Sequence, residues 1–328
     1  MNAKKVIIDC DPGIDDTLAL MLALSSPELE VLGITVVSGN VPVEKGAENA
    51  LRVLDWMNRK DIPVYLGEPL PLVRNYVDAM DTHGEDGLGE SYYPTITDIR
   101  PHTDAVGFLR DTLLHTPHVS VIALGPLTNL AKLWQTAPDA FARIEEMVSM
   151  GGNYKSHGNC SPVAEYNYWC DPDAAHIVYE AFASLDGKLL HMIGLDVTRQ
   201  IVLTPNILQY MRYANPVMGE RITNITKFYL DFHWKQEGII GCVINDPLAV
   251  AYFIDRSLCQ GFASYTTVET QGISIGQTLV DTYHFWNKPD NSYILTQTDA
   301  YGFMKFFLQR VINAPEIEIE RILQQSER

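Results

Sequence analysis

The sequence of 328 residues predicts an α/β protein with a single open, mainly parallel sheet that is flanked by helices. Short β-rich segments alternate with helical segments through the first two thirds of the chain. The segment 31–37 is apolar at almost every position, which is typical of a strand buried on both faces. Hydrophobic residues make up 46% of the chain and charged residues 20%, so the composition indicates a globular protein rather than a disordered one.

Strands and helices are expected to alternate in the N-terminal part. The predicted strands are 6–8, 31–37, 64–66, 119–124, 147–150 and 189–195. Apolar residues at helical spacing predict helices at 15–24, 43–57, 105–114, 127–134 and 171–182. Sheets of this kind bind ligands beyond the carboxyl ends of their strands, so the residues that follow each strand are the candidates for a site.

The last third of the chain has a different pattern. Helices are expected at 223–234, 246–254 and 301–312, with β-like segments at 265–270, 278–283 and 293–296. We find no internal repeat, no low-complexity tract and no linker rich in Pro, Gly or Ser. The sequence therefore predicts one elaborated domain, 1–328, with extra strands and helices at its C-terminal end.

Charge and cysteine content exclude several classes of protein. The net charge is −17, from 24 basic and 41 acidic residues, whereas a nucleic-acid binder would need a basic face. The five cysteines form no C-x-x-C pair, so neither a disulfide framework nor a zinc ribbon is indicated. We see no signal peptide and no apolar run near the roughly 20 residues that span a bilayer. We therefore expect a cytoplasmic protein that binds neither nucleic acid nor membrane.

Four carboxylates lie within eight residues at the end of the first predicted strand. They are Asp9, Asp11, Asp15 and Asp16, separated by a Pro-Gly turn that lets them converge. Such a cluster is costly unless a cation binds there, because like charges repel. Oxygen ligands alone select Ca²⁺ or Mg²⁺. The alternative, helix capping together with solvated acids, explains one or two of the four residues.

Three further polar segments are ambiguous when taken singly. Asn159, Glu165 and Asn167 have the amide and carboxylate groups that recognise vicinal hydroxyls, although a polar loop explains them equally. Asp246 precedes a proline and is typical of a helix cap. Asn40 follows a predicted strand and is typical of a turn.

Together these segments resemble the inosine–uridine nucleoside hydrolase family. The similarity begins with DCDPGIDD at 9–16, which is highly specific, and it runs in order along most of the chain. The other matching blocks are VSGN at 37–40, HGEDG at 83–87, LGPLTN at 124–129, MGG at 150–152, AEYN at 164–167 and NDP at 245–247. The resemblance implies a Rossmann-like open sheet and a homodimer or homotetramer.

The resemblance also implies a calcium site and a reaction. Asp11, Asp16, Asp246 and the backbone carbonyl of Leu124 would bind Ca²⁺, while Asp9 would hydrogen-bond the site from behind. The expected reaction is hydrolysis of the N-glycosidic bond of ribonucleosides to free base and ribose. Asp11 would act as the general base on a Ca²⁺-bound water. No covalent intermediate is needed, so inversion at the sugar is expected.

Substrate contacts are implied for a second group of residues. The ribose would be held by Asp15, Asn40, Glu165 and Asn167, with Asn159 near its 5′-hydroxyl. His83 would lie close to the substrate and is assigned a catalytic role with Asp11.

One position departs from the family pattern. Well-known members carry a histidine directly before the late aspartate, whereas this chain has Asn245, which cannot act as a general acid. We therefore expect Asn245 only to contact substrate, and consider His83, Tyr229 and His233 as proton donors. Tyr229 and His233 are four residues apart on a predicted helix and share a face, although His233 could equally be an ordinary surface residue.

Two other interpretations remain open at this point. Asp9 and Asp11 after a first strand also suggest a haloacid-dehalogenase-like phosphatase with Asp9 as nucleophile, although that pattern normally has Thr or Val where this chain has Pro12. Alternatively, the protein binds ribonucleosides without turnover. The sequence leaves the choice between purines and pyrimidines, and between dimer and tetramer, undecided.

Overall fold

The computed structural model of the protein describes residues 3–326. Its main sheet has eight strands in the order β3-β2-β1-β4-β5-β6-β12-β9. All neighbours pair in parallel except β9, which runs antiparallel to β12 at one edge. The strands in the described part of the chain are β1 (Lys4–Cys10), β2 (Leu29–Val36), β3 (Val64–Leu66), β4 (Val119–Ala123), β5 (Met147–Met150), β6 (Leu190–Ile193), β7 (Val202–Leu203), β8 (Cys242–Val243), β9 (Cys259–Ser264), β10 (Thr266–Val268), β11 (Thr278–Val280) and β12 (Ser292–Thr298).

Helices connect and cover these strands. They are α1 (Ile14–Leu24), α2 (Val43–Trp56), α3 (Met80–His83), α4 (Ala105–His115), α5 (Thr128–Thr136), α6 (Pro138–Phe141), α7 (Tyr166–Cys170), α8 (Pro172–Ala183), α9 (Leu195–Thr198), α10 (Pro205–Ala214), α11 (Pro216–Glu237), α12 (Asp246–Ile254), α13 (Ala300–Val311) and α14 (Glu316–Ser326). Among the described residues, no helix is both long enough and apolar enough to cross a membrane.

The central strand β1 is buried on both faces. Val6 and Ile8 pack into a core with α1, α2 and α12, while Ile7 between them packs into a second core with α4, α5 and α8. Successive side chains of a strand point to opposite faces, so a strand covered on both sides must be apolar throughout. This burial explains why the first carboxylates of the chain appear only where β1 ends.

The chain reverses its direction across the sheet at β1. It builds β2 and β3 on one side of β1 and then returns to place β4 on the other side. The carboxyl ends of β1 and β4 are linked by a hydrogen bond from the Leu124 N–H to the Asp9 carbonyl, at 2.7 Å. Open α/β sheets bind their ligands in the crevice at such a switch point.

The structure confirms the predicted fold class and most of the N-terminal elements. Strands β3 and β5 and helix α12 have the predicted bounds. The C-terminal third was predicted less well, because α10, α14 and β9 were missed and α11 is longer than the predicted 223–234. Strand β9 has the sequence CQGFAS, whose mixed composition carries no apolar run, and it is a strand because it pairs with β12 at the sheet edge.

Candidate active site

A cavity of about 500 Å³ opens at the carboxyl ends of the central strands. It brings together polar residues from segments that are far apart in the sequence. The predicted site residues that line it are Asp15, Asn40, His83, Leu124, Asn159, Glu165, Asn167, Tyr229, His233, Asn245 and Asp246. Asp9, Asp11 and Asp16 are fully buried behind this lining.

Three carboxylates converge at the inner end of the cavity. One oxygen from each of Asp15, Asp16 and Asp246 lies within 4.8 Å of the other two. The sequence-based ligand set had Asp11 in the place that Asp15 takes in this group. Asp11 is nevertheless adjacent, because its own backbone N–H donates to Oδ1 of Asp16 at 3.1 Å.

Backbone and amide groups around the Pro-Gly turn hold Asp16 in place. Its Oδ2 accepts from the Gly13 N–H at 3.1 Å and from Nδ2 of Asn40 at 3.0 Å. Gly13 is the residue just before α1, and a Cβ there would lie 2.6 Å from Nδ1 of His83. The glycine thus allows His83, the last residue of α3, to approach the N-terminus of α1.

Asp11 has one satisfied oxygen and one that is not. Its Oδ2 accepts from the Asn40 N–H at 2.7 Å, whereas Oδ1 is buried and has no hydrogen-bond partner among the described residues. A buried carboxylate oxygen without a partner is costly, and a cation within reach would relieve that cost. Burial, followed by the charge of Asp16, raises the pKa of Asp11 well above its usual range.

The pKa values of the two neighbouring carboxylates, Asp16 and Asp246, are raised as well. Burial and then the charge of Asp15 raise the pKa of Asp16 to about 6, and the same two causes raise the pKa of Asp246 well above its usual range. Desolvation and mutual repulsion of carboxylates are both relieved by a bound cation. The donors are all oxygens, which suits a hard divalent ion. The residues therefore fit a metal ion.

Asp9 lies away from the cavity. Its Oδ1 accepts from Oγ1 of Thr35 and from Nδ2 of Asn129, the latter at 2.8 Å, and burial raises its pKa to about 7. Its side chain neither lines the cavity nor bonds Asp15, Asp16 or Asp246, whereas Asp11 is bonded to Asp16 through its backbone N–H. Asp9 is not one of the carboxylates that converge at the cavity, which does not favour a phosphatase mechanism with Asp9 as nucleophile.

Glu165 and Asn167 form one wall of the cavity. Both oxygens of Glu165 accept backbone N–H groups, two from the start of α7 and one from Gly152, and burial raises its pKa to about 7. Nδ2 of Asn167 donates to the carbonyl oxygens of Leu124 and Met150 at 2.7 and 3.1 Å. A carbonyl oxygen has two lone pairs, so Leu124 keeps one for another ligand.

Asp15 is held from the opposite side of the cavity. Its Oδ2 accepts from the Tyr229 hydroxyl at 3.3 Å and from Nδ2 of Asn245 at 3.0 Å. Tyr229 lies on α11, so this helix supports the carboxylate cluster as well as lining the cavity.

The two predicted histidines are held in opposite tautomers. Nδ1 of His83 accepts the Ile14 N–H at 3.1 Å, so in the neutral ring the proton is on Nε2. Nδ1 of His233 lies 2.9 Å from the Tyr229 carbonyl and must donate to it, which leaves Nε2 without a proton in the neutral ring. Burial lowers the pKa of both histidines below the usual value. His233 is only 5% exposed, so it is not an ordinary surface residue.

The cavity also contains residues that the sequence analysis missed. They include Trp169, Phe232 and Arg199. Phe232 could have been predicted from helical spacing, because it lies three positions after Tyr229 on α11 and shares its face. Trp169 follows the AEYN block by two positions, whereas no sequence signal distinguished Arg199 from other surface arginines.

Comparison with known proteins defines the class of this enzyme. Residues 6–305 match the family described as inosine-uridine preferring nucleoside hydrolase. The match covers nearly all of the chain and agrees with the fold and with the carboxylate cluster at the switch point. The protein belongs to this family and is a hydrolase of N-glycosyl compounds.

The names of individual relatives specify different nucleobases, pyrimidine in one case and purine in another. The chain is 34% identical over 312 residues to the pyrimidine-specific ribonucleoside hydrolase RihA of Escherichia coli O81 (strain ED1a), covering 94% of this chain and 98% of that protein. A purine-preferring ribonucleoside hydrolase from Gardnerella vaginalis has a TM-score of 0.87 and 31% identity, covering 94% and 98% of the two chains. A plant nucleoside hydrolase has a TM-score of 0.86 and 31% identity, covering 95% and 99%.

Proposed function

We propose that this protein hydrolyses the N-glycosidic bond of ribonucleosides to free base and ribose, with Ca²⁺ as its metal. The observation that carries the proposal is the unpartnered Oδ1 of Asp11 beside the converging carboxylates of Asp15, Asp16 and Asp246. The cluster of carboxylates suits a cation, and a cation there could bind both hydroxyls of a vicinal diol. The neighbouring amide and carboxylate groups can hydrogen-bond the same hydroxyls. RihA, which is named a ribonucleoside hydrolase, supports the same substrate class.

The residues proposed to hold Ca²⁺ are Asp11, Asp16, Asp246 and the Leu124 carbonyl, with Asp15 alongside. When bound, the ion would orient the sugar hydroxyls and make the attacking water more acidic. Asp9 is proposed to support the site through its backbone carbonyl, which accepts the Leu124 N–H at 2.7 Å, while its side chain accepts from Thr35 and Asn129.

Asp11 is the proposed general base. The Asn40 N–H orients its carboxylate through Oδ2, so Oδ1 is the atom left to take a proton from water. Water attacks the anomeric carbon as the bond to the base breaks, and the sugar has oxocarbenium character in between. Asp11 thus supplies the base without becoming bonded to the sugar, and inversion is the expected stereochemical result.

The ribose is proposed to bind between two walls. Asp15, Asn40, Glu165 and Asn167 surround the inner end of the cavity, and Asn159 lies on the segment that forms its outer wall. Nδ2 of Asn167 is already bonded to two carbonyls, so its Oδ1 is the atom offered to a sugar hydroxyl. A site that hydrogen-bonds a hydroxyl discriminates strongly against a substrate that lacks it.

The leaving base is proposed to receive its proton from α11. His233 can take a proton on Nε2 and keep its bond to the Tyr229 carbonyl. His83 would have to take its second proton on Nδ1, and this N–H would then point at the N–H of Ile14 and break the bond between them. His83 is then a hydrogen-bond donor to substrate through Nε2, and His233 is the stronger candidate for the acid. Asn245, which has no titratable proton, orients Asp15.

The test is product analysis by chromatography over a panel of purine and pyrimidine ribonucleosides. Purified protein with added Ca²⁺ is expected to release free base, and exhaustive chelation is expected to stop it. Binding of a nucleoside by calorimetry without release of base would instead support the non-catalytic alternative. Full activity after chelation would refute the metal requirement, and the panel would also establish the base preference.

Four further features belong to the same proposal. The chain is taken as one domain over 1–328 that works in the cytoplasm, and its net charge of −17 argues against a nucleic-acid partner. A homodimer or homotetramer is proposed from the family resemblance. Light scattering after size-exclusion chromatography measures the oligomer, and a monomer would contradict this part.

A further inference from the structure

The outer wall of the cavity is an irregular segment. Residues 153–163 form neither helix nor strand, yet His157, Gly158, Asn159 and Cys160 of this segment line the cavity. A segment without a regular hydrogen-bond ladder must have its position set by other contacts. Here those contacts come mainly from Asp196 in α9, the single turn that follows β6, and from Arg199 directly after it.

The first contact is made by an anion. The carboxylate of Asp196 accepts three successive backbone N–H groups, from Tyr154 at 2.6 Å, Lys155 at 2.8 Å and Ser156 at 3.0 Å. Hydrogen bonds to a charged acceptor are stronger than those between neutral groups. Asp196 therefore anchors the start of the segment by accepting hydrogen bonds from the backbone N–H groups of residues 154–156.

The second contact is made by a cation three residues later. Arg199 donates through one terminal nitrogen to Oγ of Ser156 at 2.5 Å and to the His157 carbonyl at 2.6 Å. Its other terminal nitrogen donates to the Gly158 carbonyl at 3.0 Å. Asp196 thus holds the N–H groups of the segment and Arg199 its carbonyl groups, and these contacts stop one residue before Asn159.

Arg199 also reaches the opposite wall. The nitrogen that binds Gly158 lies 3.5 Å from Oε1 of Glu237, in the last turn of α11. The two side chains are 17% and 27% exposed, so solvent screens this ion pair only partly. The planar guanidinium is thus held between the two walls, which fixes its own orientation toward the 156–158 segment.

We propose that Asp196 and Arg199 are positioning residues that hold Asn159 at the 5′ end of the ribose. The inference rests on the proposed function, because Asn159 is assigned there to the 5′-hydroxyl. The Asn159 side chain makes no hydrogen bond within the described residues, whereas its backbone N–H donates to the Ala164 carbonyl at 3.1 Å. Asn159 therefore has its backbone fixed and its side chain available.

The experiment compares Arg199→Met, Arg199→Lys and Asp196→Asn with the parent enzyme. Each is assayed on the best ribonucleoside from the panel and on its 5′-deoxy analogue. Arg212→Met is the matched control, because Arg212 pairs with Glu220 outside the cavity and both side chains are nearly half exposed. Hydrogen–deuterium exchange of the amides 154–160 is measured on the same variants.

Arg199→Met is expected to lower kcat/KM on the ribonucleoside by between about tenfold and about a hundredfold, as misplacement of a binding group does. Its loss on the 5′-deoxy analogue should stay within about threefold, since the contact it supports is already missing there. Arg199→Lys should lose nearly as much, because a point charge cannot replace the planar fork. Amides 154–160 should exchange faster in all three variants and remain unchanged in Arg212→Met.

Equal losses on the two substrates would overturn the positioning role, as would unchanged exchange of amides 154–160. Asn159→Ala separates this proposal from the proposed function. If Asn159→Ala loses equally on both substrates, the assignment of Asn159 to the 5′-hydroxyl is wrong and the proposal falls with it. If the parent releases base from no ribonucleoside, the proposed function fails, and the exchange measurement still decides whether Arg199 holds the segment.

Discussion

The side-chain amide of Asn245 donates to Oδ2 of Asp15 at 3.0 Å. An ionised carboxylate can only accept hydrogen bonds, so the amide nitrogen of Asn245 must face Asp15. The amide oxygen of Asn245 therefore points away from Asp15. The Tyr229 hydroxyl donates to the same carboxylate oxygen at 3.3 Å. Asn245 is therefore a support for Asp15, and the proton for a leaving base has to come from elsewhere.

The first prediction concerns that proton. We expect His233→Ala to lower the rate on the best natural ribonucleoside by between about 10²-fold and about 10⁴-fold, the usual contribution of a general acid. Its rate on p-nitrophenyl riboside should be nearly unchanged, because that leaving group needs no proton. His83→Ala should reduce both rates by similar factors, since its Nδ1 binds the Ile14 N–H and cannot be protonated without losing that bond.

The pH profile of the parent provides a second measurement of the same idea. Burial lowers the pKa of His233, so the protonated form is lost as the pH rises through a value below 6.5. An alkaline limb is therefore expected with the natural substrate and should be absent with p-nitrophenyl riboside. If neither histidine variant loses more than a few-fold on the natural substrate, Tyr229 or a solvent channel becomes the donor.

The second prediction concerns Asp11. We expect Asp11→Asn to reduce turnover by between about 10²-fold and about 10⁴-fold, the usual contribution of a general base. The variant also lacks an anionic metal ligand, which can only increase the loss. Steady-state assays with saturating Ca²⁺ measure this loss. Asp98→Asn is a suitable control, since Asp98 is exposed and pairs with Lys60 at 2.7 Å outside the cavity. An Asp11→Asn enzyme within tenfold of the parent would contradict the role.

The third prediction concerns the sugar. We expect kcat/KM for a ribonucleoside to exceed that for its 2′-deoxy analogue by about 10⁴-fold or more, because the metal site, Asp15 and Asn167 all face the vicinal diol in the proposed complex. Competition assays with the two substrates in one mixture give the ratio directly. Comparable values for the two would mean that the diol is not the group that the carboxylate cluster recognises.

The fourth prediction concerns stability and metal. The pKa of Asp16 is raised from 3.8 to about 6 in the folded protein, so folded Asp16 holds its proton more tightly than unfolded Asp16. Its favourable contribution is complete below pH 3.8 and is lost as the pH rises through about 6. In chelator, the parent should therefore lose stability relative to Asp16→Asn between about pH 4 and about pH 7.

Bound Ca²⁺ should reverse this order, because it stabilises the ionised carboxylates. Thermal melting of both proteins, with Ca²⁺ or with chelator, at several pH values provides the comparison. Ca²⁺ should raise the Tm of the parent more at neutral pH than near pH 5, since ligands must be deprotonated to bind it. A Tm increase that is the same for the parent and for Asp16→Asn would show that Asp16 does not hold the ion.

Local sequence determined much of this site. The continuous apolar segments identified buried parallel strands, and the carboxylates at the end of β1 identified the edge at which we propose a cation site. The DCDPGIDD block and the later blocks identified the family, which the match over residues 6–305 confirms. These signals are local because strand burial and turn geometry depend on neighbouring residues.

Only the tertiary structure decided which polar atoms are free and which are used. Asn245 lies 230 positions from Asp15 in the sequence, yet its amide holds that carboxylate. The tautomers of His83 and His233 follow from backbone groups that happen to face their rings, and Arg199 became a candidate through contacts with two cavity walls. The physical reason is that hydrogen bonds have short range and strict direction, so a side chain's role depends on what folding places within about 3 Å of it.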